Sequence, residues 1–344
     1  MIHKIYVLKN AVPDDRIFFV DHQGLGKVRD SQIFLNFRQS TKKVTMKKML
    51  SGLFVLAILI AHPVWGKSPK GIIAKGAQLI KLTGGFSFTE GPAADKKGNV
   101  YFTDQPNNKI HVWTTDNELT TFHSGAGRAN GLYFDADGNL LSCSDLNNQL
   151  WKIGMDGQHT VLVADFEGKL LNGPNDLWVH PNGSIYFTDP LYKRPYWSRD
   201  PEMQQDGEHV YFYNHETQKV TRVTTDLEKP NGIVGTPDGK KLYVADIKAG
   251  KTYVYDIAID GSLQNKKLFA EMGSDGMTID NQGNIYITGK GVTVFNPKGD
   301  KIEHIPVEAN WTANVCFGGK KMKTLFITAS DALYSIEMKV SGTR

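Results

Sequence analysis

Residues 171–190 read LNGPNDLWVHPNGSIYFTDP. The second half, HPNGSIYFTD, is a turn sequence followed by an apolar run that ends in Asp189. Gly in the turn, then alternating apolar residues, predicts a tight turn feeding a half-buried strand. The first half, NGPND, gathers Gly, Pro, two Asn and an Asp ahead of a β-pattern. That composition predicts a polar loop delivered to a site by a rigid strand.

The same unit recurs along the chain. The copies are DKKGNVYFTD (95–104), DADGNLLSCSD (135–145), HPNGSIYFTD (180–189), TPDGKKLYVAD (236–246) and DNQGNIYIT (280–288), with a weaker sixth, FGGKKMKTLFIT, ending at Thr328. Their end points lie 41, 44, 57, 42 and 40 residues apart. Further strand-like runs fall between them: KIHVW from Lys109, QLWKI from Gln149, VYFY from Val210, TYVYDI from Thr252, VTVF from Val292 and ALYSI from Ala332. No long 3.6-residue period follows Lys67. Several short strands and no helix per unit, at this period, predict an all-β, six-bladed β-propeller. The segment Gly71–Lys81 is expected to close the ring against the last blade. WD and GH signatures are missing, which argues against a WD40 propeller. Clusters such as DADG could be taken for calcium loops, but an EF-hand begun at Asp135 would need Glu at position 12, where Leu146 stands. They read as hairpin turns.

Charge is uneven. Of 40 Lys and Arg, 10 lie in residues 1–50 with 4 acidic residues, and residues 51–66 carry no charge. From Lys67 onward 30 basic face 32 acidic residues, which gives no electrostatic footprint for nucleic acid. Two cysteines, Cys143 and Cys316, exclude a disulfide framework. They read as buried free thiols, with a single bridge as the alternative.

From Met46 the chain reads MKKMLSGLFVLAILIAHPVWGKS: a basic start, an apolar run from Leu50 to Ala61, then small or helix-breaking residues up to Gly66. This is the layout of a secretory signal peptide over residues 46–66, shorter than the roughly 20 apolar residues of a bilayer span. Export to the periplasm or medium is expected, with no membrane contact after cleavage. Residues 1–45 are expected to be a non-native or disordered extension, with translation starting at Met46; the alternative is the cytoplasmic tail of an anchored form. Residues 67–344 are the propeller domain.

GxSxG, HExxH, the P-loop and GxGxxG are all absent. What remains is a set of segments just ahead of the turn-strand units: FTEGPA with Glu90, GPNDL with Asn175 and Asp176, KPNGI with Asn231, GSDGM with Asp275, and GRANGL with Arg128 and Asn130. One Asn or Asp before Gly is an ordinary turn former. Oxygen donors at equivalent offsets in several blades converge on one axis and make a hard-cation site. The lack of His and Cys disfavours zinc.

These residues also carry a resemblance. FTEGPA, residues 171–190, KPNGI, SDGMTIDNQGNIYITGKGVTVFNPKG and ANWTANVCFGGKKMKTLFITA resemble the gluconolactonase/SMP-30/luciferin-regenerating-enzyme family from Gly84 to Ile336. The resemblance implies one divalent cation in the channel, Ca²⁺ first, with Mg²⁺, Mn²⁺ or Zn²⁺ as alternatives. It implies Glu90, Asn231 and Asp275 as metal ligands and Asn175 as a substrate contact. Arg128 and Asn130 are the candidates for gripping sugar hydroxyls. Animal members carry an Arg two residues ahead of the PND-type Asn; here that position is Gly173, so a clamp at that spot is missing. The implied reaction is hydrolysis of a glucono-1,5-lactone-type substrate. The cation polarises the carbonyl and Asp275 acts as general base. Asp176 is a reserve base or a structural Asp. A non-sugar lactonase or esterase, and a non-catalytic partner-binding propeller, are the competing readings. The long third interval holds PLYKRPYWSRDPEMQQDGEH (190–209). Tyr192, Tyr196 and Trp197 there read either as a lid over the channel or as a surface loop.

Overall fold

In the computed structural model, which describes residues 71–343, the turn-strand units become the first hairpins of six four-stranded antiparallel sheets. Residues 1–45 and 46–66, with their expected extension and signal peptide, lie outside the described residues. Blade 1 runs Thr89–Ala94, Val100–Asp104, Lys109–Trp113 and Leu119–Ser124, and the next four blades repeat that meander in chain order. The innermost strands touch in sequence around the ring, and Thr89–Ala94 meets Thr312–Gly318 to close it. Blade 6 takes Thr312–Gly318, Thr324–Ala329 and Ala332–Glu337 from the end of the chain, and Ile80–Gly84 from its beginning as the fourth strand. The closing strand overlaps only the end of the expected stretch Gly71–Lys81: Ile80 and Lys81 pair with Ser335 and Tyr334, the strand runs on to Gly84, and earlier in the stretch Ile73 bridges Met338. The described residues contain no α-helix, only a 3-10 turn at Gln105–Asn107.

The hairpin chemistry is as the sequence predicts. Asp95 accepts the amides of Lys97 and Asn99 at 2.8 and 2.9 Å, and Gly98 takes the left-handed conformation the turn needs, φ 91°. Asp135 and Asp280 repeat the arrangement. The strands that follow are not half-buried. Val100–Asp104 and Ile185–Asp189 are buried along their whole length, because each blade is covered on both faces by its neighbours. Solvent reaches the outermost strands instead, as at Leu119–Ser124. Aromatics fill the interblade layers: Tyr186 is fully buried and donates its hydroxyl to the Gly261 carbonyl of blade 4 at 2.8 Å. Cys143 and Cys316 are buried free thiols.

Candidate active site

The polar segments read as loops are the innermost strands themselves, or the residues that lead directly into them. Thr89–Ala94, Ala129–Phe134 and Pro230–Gly235 are strands whose registers shift between Glu90 and Ala93, Ala129 and Leu132, and Pro230 and Ile233. Bulges of this kind re-aim side chains beside functional sites. Here they leave Glu90, Asn130 and Asn231 at one level of the ring. Asn175 and Asp275 stand at the equivalent places just before Leu177–Val179 and Met277–Ile279, and blade 6 puts Ala313 there. The loop-like composition falls in strand at Glu90, Asn130 and Asn231, and in the connecting chain at Asn175 and Asp275. Gly and Pro are tolerated because this part of the strand has left the regular ladder.

One residue further on, four blades have glycine: Gly91, Gly131, Gly232 and Gly276. The other two, on opposite sides of the ring, have Asp176 and Asn314. Their side chains meet, Asn314 Nδ2 donating to Asp176 Oδ2 at 3.4 Å. A Cβ on Gly131 would lie 2.6 Å from Asp176 Oδ1, and one on Gly276 only 1.8 Å from Asn314 Cγ. The glycines therefore make room for a polar bar across the channel. Beyond the bar the channel opens to the opposite face as a cavity of about 850 Å³ lined by Ala93, Leu132, Ile233 and Val315. This cavity, apolar along its inner wall, has none of Glu90, Asn130, Asn175, Asn231 and Asp275 in its lining.

Two recurring residues of the repeat fix the ring. The hydroxyls of Thr103, Thr188 and Thr288 donate to the carbonyls of Asn130, Asn231 and Ala313 in the next blade, at 3.1, 2.8 and 2.9 Å. The terminal aspartates clamp the incoming chain. Asp104 accepts the amides of Ser87 and Phe88, Asp189 those of Asn172 and Gly173, and Asp246 those of Glu228 and Lys229, all between 2.8 and 3.2 Å. Each clamp ends two residues before Glu90, Asn175 or Asn231. The Thr and Asp of "YFTD" are positioning residues, legible as a repeat but not as a role.

Glu90, Asn231 and Asp275 come together. Burial raises the Glu90 carboxyl well above the usual carboxylate range, and Asp275 and then Asp176 push it the same way. Burial also raises Asp275, opposed by hydrogen bonds from Trp311 and Asn231 and by the Arg194 charge. Trp311 Nε1 donates to Asp275 Oδ2 at 2.5 Å. Asn231 is 1% exposed; its Nδ2 donates to the Tyr192 hydroxyl at 2.9 Å, while its Oδ1 is buried without a partner. Two carboxylates and an unpaired amide oxygen at one point are costly to bury alone, and a hard cation compensates all three. The donor set therefore fits the divalent ion. Among the described residues no group of three His, Cys, Asp or Glu side chains is placed to hold a metal; the Asn231 amide oxygen would be the third donor beside Glu90 and Asp275.

The remaining sequence candidates fall around this cage. Asn130 Oδ1 is buried and unpaired, and the Asn175 side chain makes no hydrogen bond to a described residue. Arg128 donates to the Pro106 carbonyl and lies 4.2 Å from the Tyr196 ring centroid, so it is already engaged. Asp176 accepts the Leu177 amide at 2.9 Å as well as Asn314, and burial raises it to about 8. With both oxygens occupied it is a structural residue of the bar.

The 190–209 insertion is a strap over the mouth. Tyr192 reaches Asn231, and Lys229 Nζ donates to the Leu191 carbonyl at 2.8 Å. Asp145, the blade 2 counterpart of the clamping aspartates, is diverted to the strap: it accepts from Trp197 Nε1 at 2.9 Å and Tyr196 at 3.4 Å. At Gly173 a Cβ would stand 2.8 Å from Asp145 Oδ1 and 3.3 Å from Arg199 Nη2. The space an arginine at 173 would enter is filled by the strap. Trp311 and Arg194 escaped the reading of the sequence, and Tyr192 was read only as part of the insertion, because the partners of Trp311 and Tyr192 lie dozens of residues away; Trp311 and Asp275 are 36 apart, Tyr192 and Asn231 39.

A family profile described as SMP-30/Gluconolactonase/LRE-like region matches residues 88–331. A gluconolactonase from Zymomonas mobilis is 29% identical over 286 residues, which cover 74% of this chain and 80% of that protein. Diisopropyl-fluorophosphatase from Loligo vulgaris is 26% identical over 296 residues, covering 77% and 94%. Among solved structures, a gluconolactonase from Xanthomonas campestris superposes with a TM-score of 0.72 at 28% identity, covering 78% of this chain and 91% of that one.

Proposed function

The chain belongs to the SMP-30/gluconolactonase/LRE-like family, and on that premise we propose that it hydrolyses a sugar lactone in a cation-dependent reaction at the strap-covered end of the channel. The observation that carries this reading is the convergence of Glu90, Asn231 and Asp275 around the unpaired Asn231 oxygen. Glu90, Asn231 and Asp275 would hold the cation, Ca²⁺ by its oxygen donors. A bound hard cation supplies Lewis-acid polarisation of the lactone carbonyl.

The chain's own residues do the rest. Trp311 fixes one Asp275 oxygen, and the other, Oδ1, takes the proton from the attacking water. Tyr192 holds the Asn231 amide so that Oδ1 faces the cage. Asn175 and Asn130 present free amides to substrate oxygens, with Arg128 beside them at the strap. The strap excludes bulk water from the mouth.

The test is proton release from glucono-δ-lactone, before and after EDTA, then with Ca²⁺, Mg²⁺, Mn²⁺ or Zn²⁺ restored. The expected result is activity lost to chelator, restored by Ca²⁺ and abolished in Asp275→Ala. No hydrolysis with any of the four ions overturns the reading. Hydrolysis only of a non-sugar lactone or a fluorophosphate ester would keep the cage and replace the substrate.

A further inference from the structure

Four cationic side chains gather at the mouth, and three are engaged. Arg128 donates to Pro106 and packs on Tyr196. Arg199 donates to the Asn172 carbonyl and lies 3.5 Å from the Trp197 ring centroid. Lys229 pairs with Glu208 at 3.0 Å and donates to Leu191. The fourth, Arg194, makes no hydrogen bond to any described residue. Its Nε is buried without a partner, and its guanidinium carbon lies 5.0 Å from the Tyr192 ring centroid. Its nearest carboxylate is Asp145, at 4.0 Å, whose Oδ2 is already occupied by Trp197 and Tyr196. The Arg194 charge also reaches Asp275, whose carboxyl it lowers against the effect of burial. The side chain is about a quarter exposed, so the outer guanidinium nitrogens face the mouth while the inward Nε has no acceptor; a buried donor without a partner beside a reaction site calls for a ligand, since unpaired buried polar groups are rare and costly.

We propose that Arg194 is a substrate-binding, specificity-determining residue. Its guanidinium donates to the hydroxyl and ring oxygens of a polyhydroxylated lactone lying between the strap and the cation cage. This deepens the lactonase reading and rests on it. Tyr192 supports the guanidinium from one face, and the Asp145–Trp197–Tyr196 contacts hold the strap that carries it. A lactone without hydroxyls leaves the fork unpaired, so the arginine selects against alkyl lactones.

The experiment measures kcat and KM of the parent, Arg194→Ala and Arg194→Lys on glucono-δ-lactone and on δ-valerolactone, with Ca²⁺ affinity by calorimetry. The expected result for Arg194→Ala is a kcat/KM about 10- to 100-fold lower on gluconolactone, the range for lost charged hydrogen bonds, with valerolactone changed by less than about threefold. Arg194→Lys keeps the charge without the fork and falls between. Ca²⁺ affinity is equal to or tighter than the parent's. Equal losses on both lactones, or a gluconolactone value within twofold of the parent, overturn the proposal and leave the lactonase reading standing. If Arg194→Ala does not fold, the lysine variant decides: an unchanged preference for gluconolactone overturns the proposal. A parent that hydrolyses neither lactone removes both.

Discussion

Gly276→Ala tests whether the polar bar across the channel is what the inner glycines protect. Gly276 has no positive φ, so alanine there meets no backbone strain; the collision is purely one of volume. The new methyl would sit 1.8 Å from Asn314 Cγ, 2.0 Å from Oδ1 and 2.3 Å from Nδ2. Asn314 must leave, breaking its 2.8 Å bond from the Val315 amide and its 3.4 Å contact with Asp176. Overpacking costs about 1–3 kcal/mol and stranding the buried partners about another 1–3. The expected loss is therefore about 2–6 kcal/mol, or ~10 °C in Tm near the middle of that range for a domain of this size. Thermal and urea melts of Gly276→Ala, Asn314→Ala and the double variant check it. All three atoms in the collision belong to Asn314 beyond its Cβ, so alanine at 276 is expected to cost less than about 1 kcal/mol once Asn314 is alanine. Simple additivity would refute the reasoning, as would a Tm loss under about 3 °C in the single variant.

Asp246→Ala removes the acceptor for the Glu228 and Lys229 amides and is expected to destabilise by about 3 kcal/mol in urea melts; it should also cut lactone turnover, because Asn231 follows that clamp directly. Trp311→Phe removes the donor to Asp275 from a half-exposed position; kcat/KM is expected to fall about tenfold while Tm changes by little more than a degree. Burial raises Asp189 to about 7 and Asp176 to about 8 from an ordinary 3.8, so the folded state binds these protons more tightly than the unfolded one. In EDTA their contribution to stability is full below pH ~4 and lost as pH rises toward 8, so urea melts across that window should show declining stability. A steady rise would contradict it.

Much of the fold was legible because it is written locally. Gly-containing turns followed by period-2 apolar runs mark every first hairpin, three of them as Asp-x-x-Gly, and the third strands stand within a residue of where the runs predict them, as at Lys109–Trp113 and Gln149–Ile153. The candidate ring was legible because its residues repeat at one offset from those turns. That its carriers are bulged inner strands was not, since Gly, Pro and Asn have the same composition in a loop. The depth of Ile185–Asp189 was not legible either, because burial on its second face comes from another blade.

The sequence by itself determined the number of blades, the turn chemistry, the Thr or Asp that ends each unit, and which oxygen-bearing side chains share a level. These depend on contacts within about one repeat of chain. Only the tertiary structure decided that Asp176 and Asn314 meet across the axis and that Trp311 holds Asp275. It alone turned Asp145 from a clamp into an anchor for the strap and left Arg194 unpaired beside the cage. Those pairings join residues far apart in sequence, and ring closure is what brings them within reach.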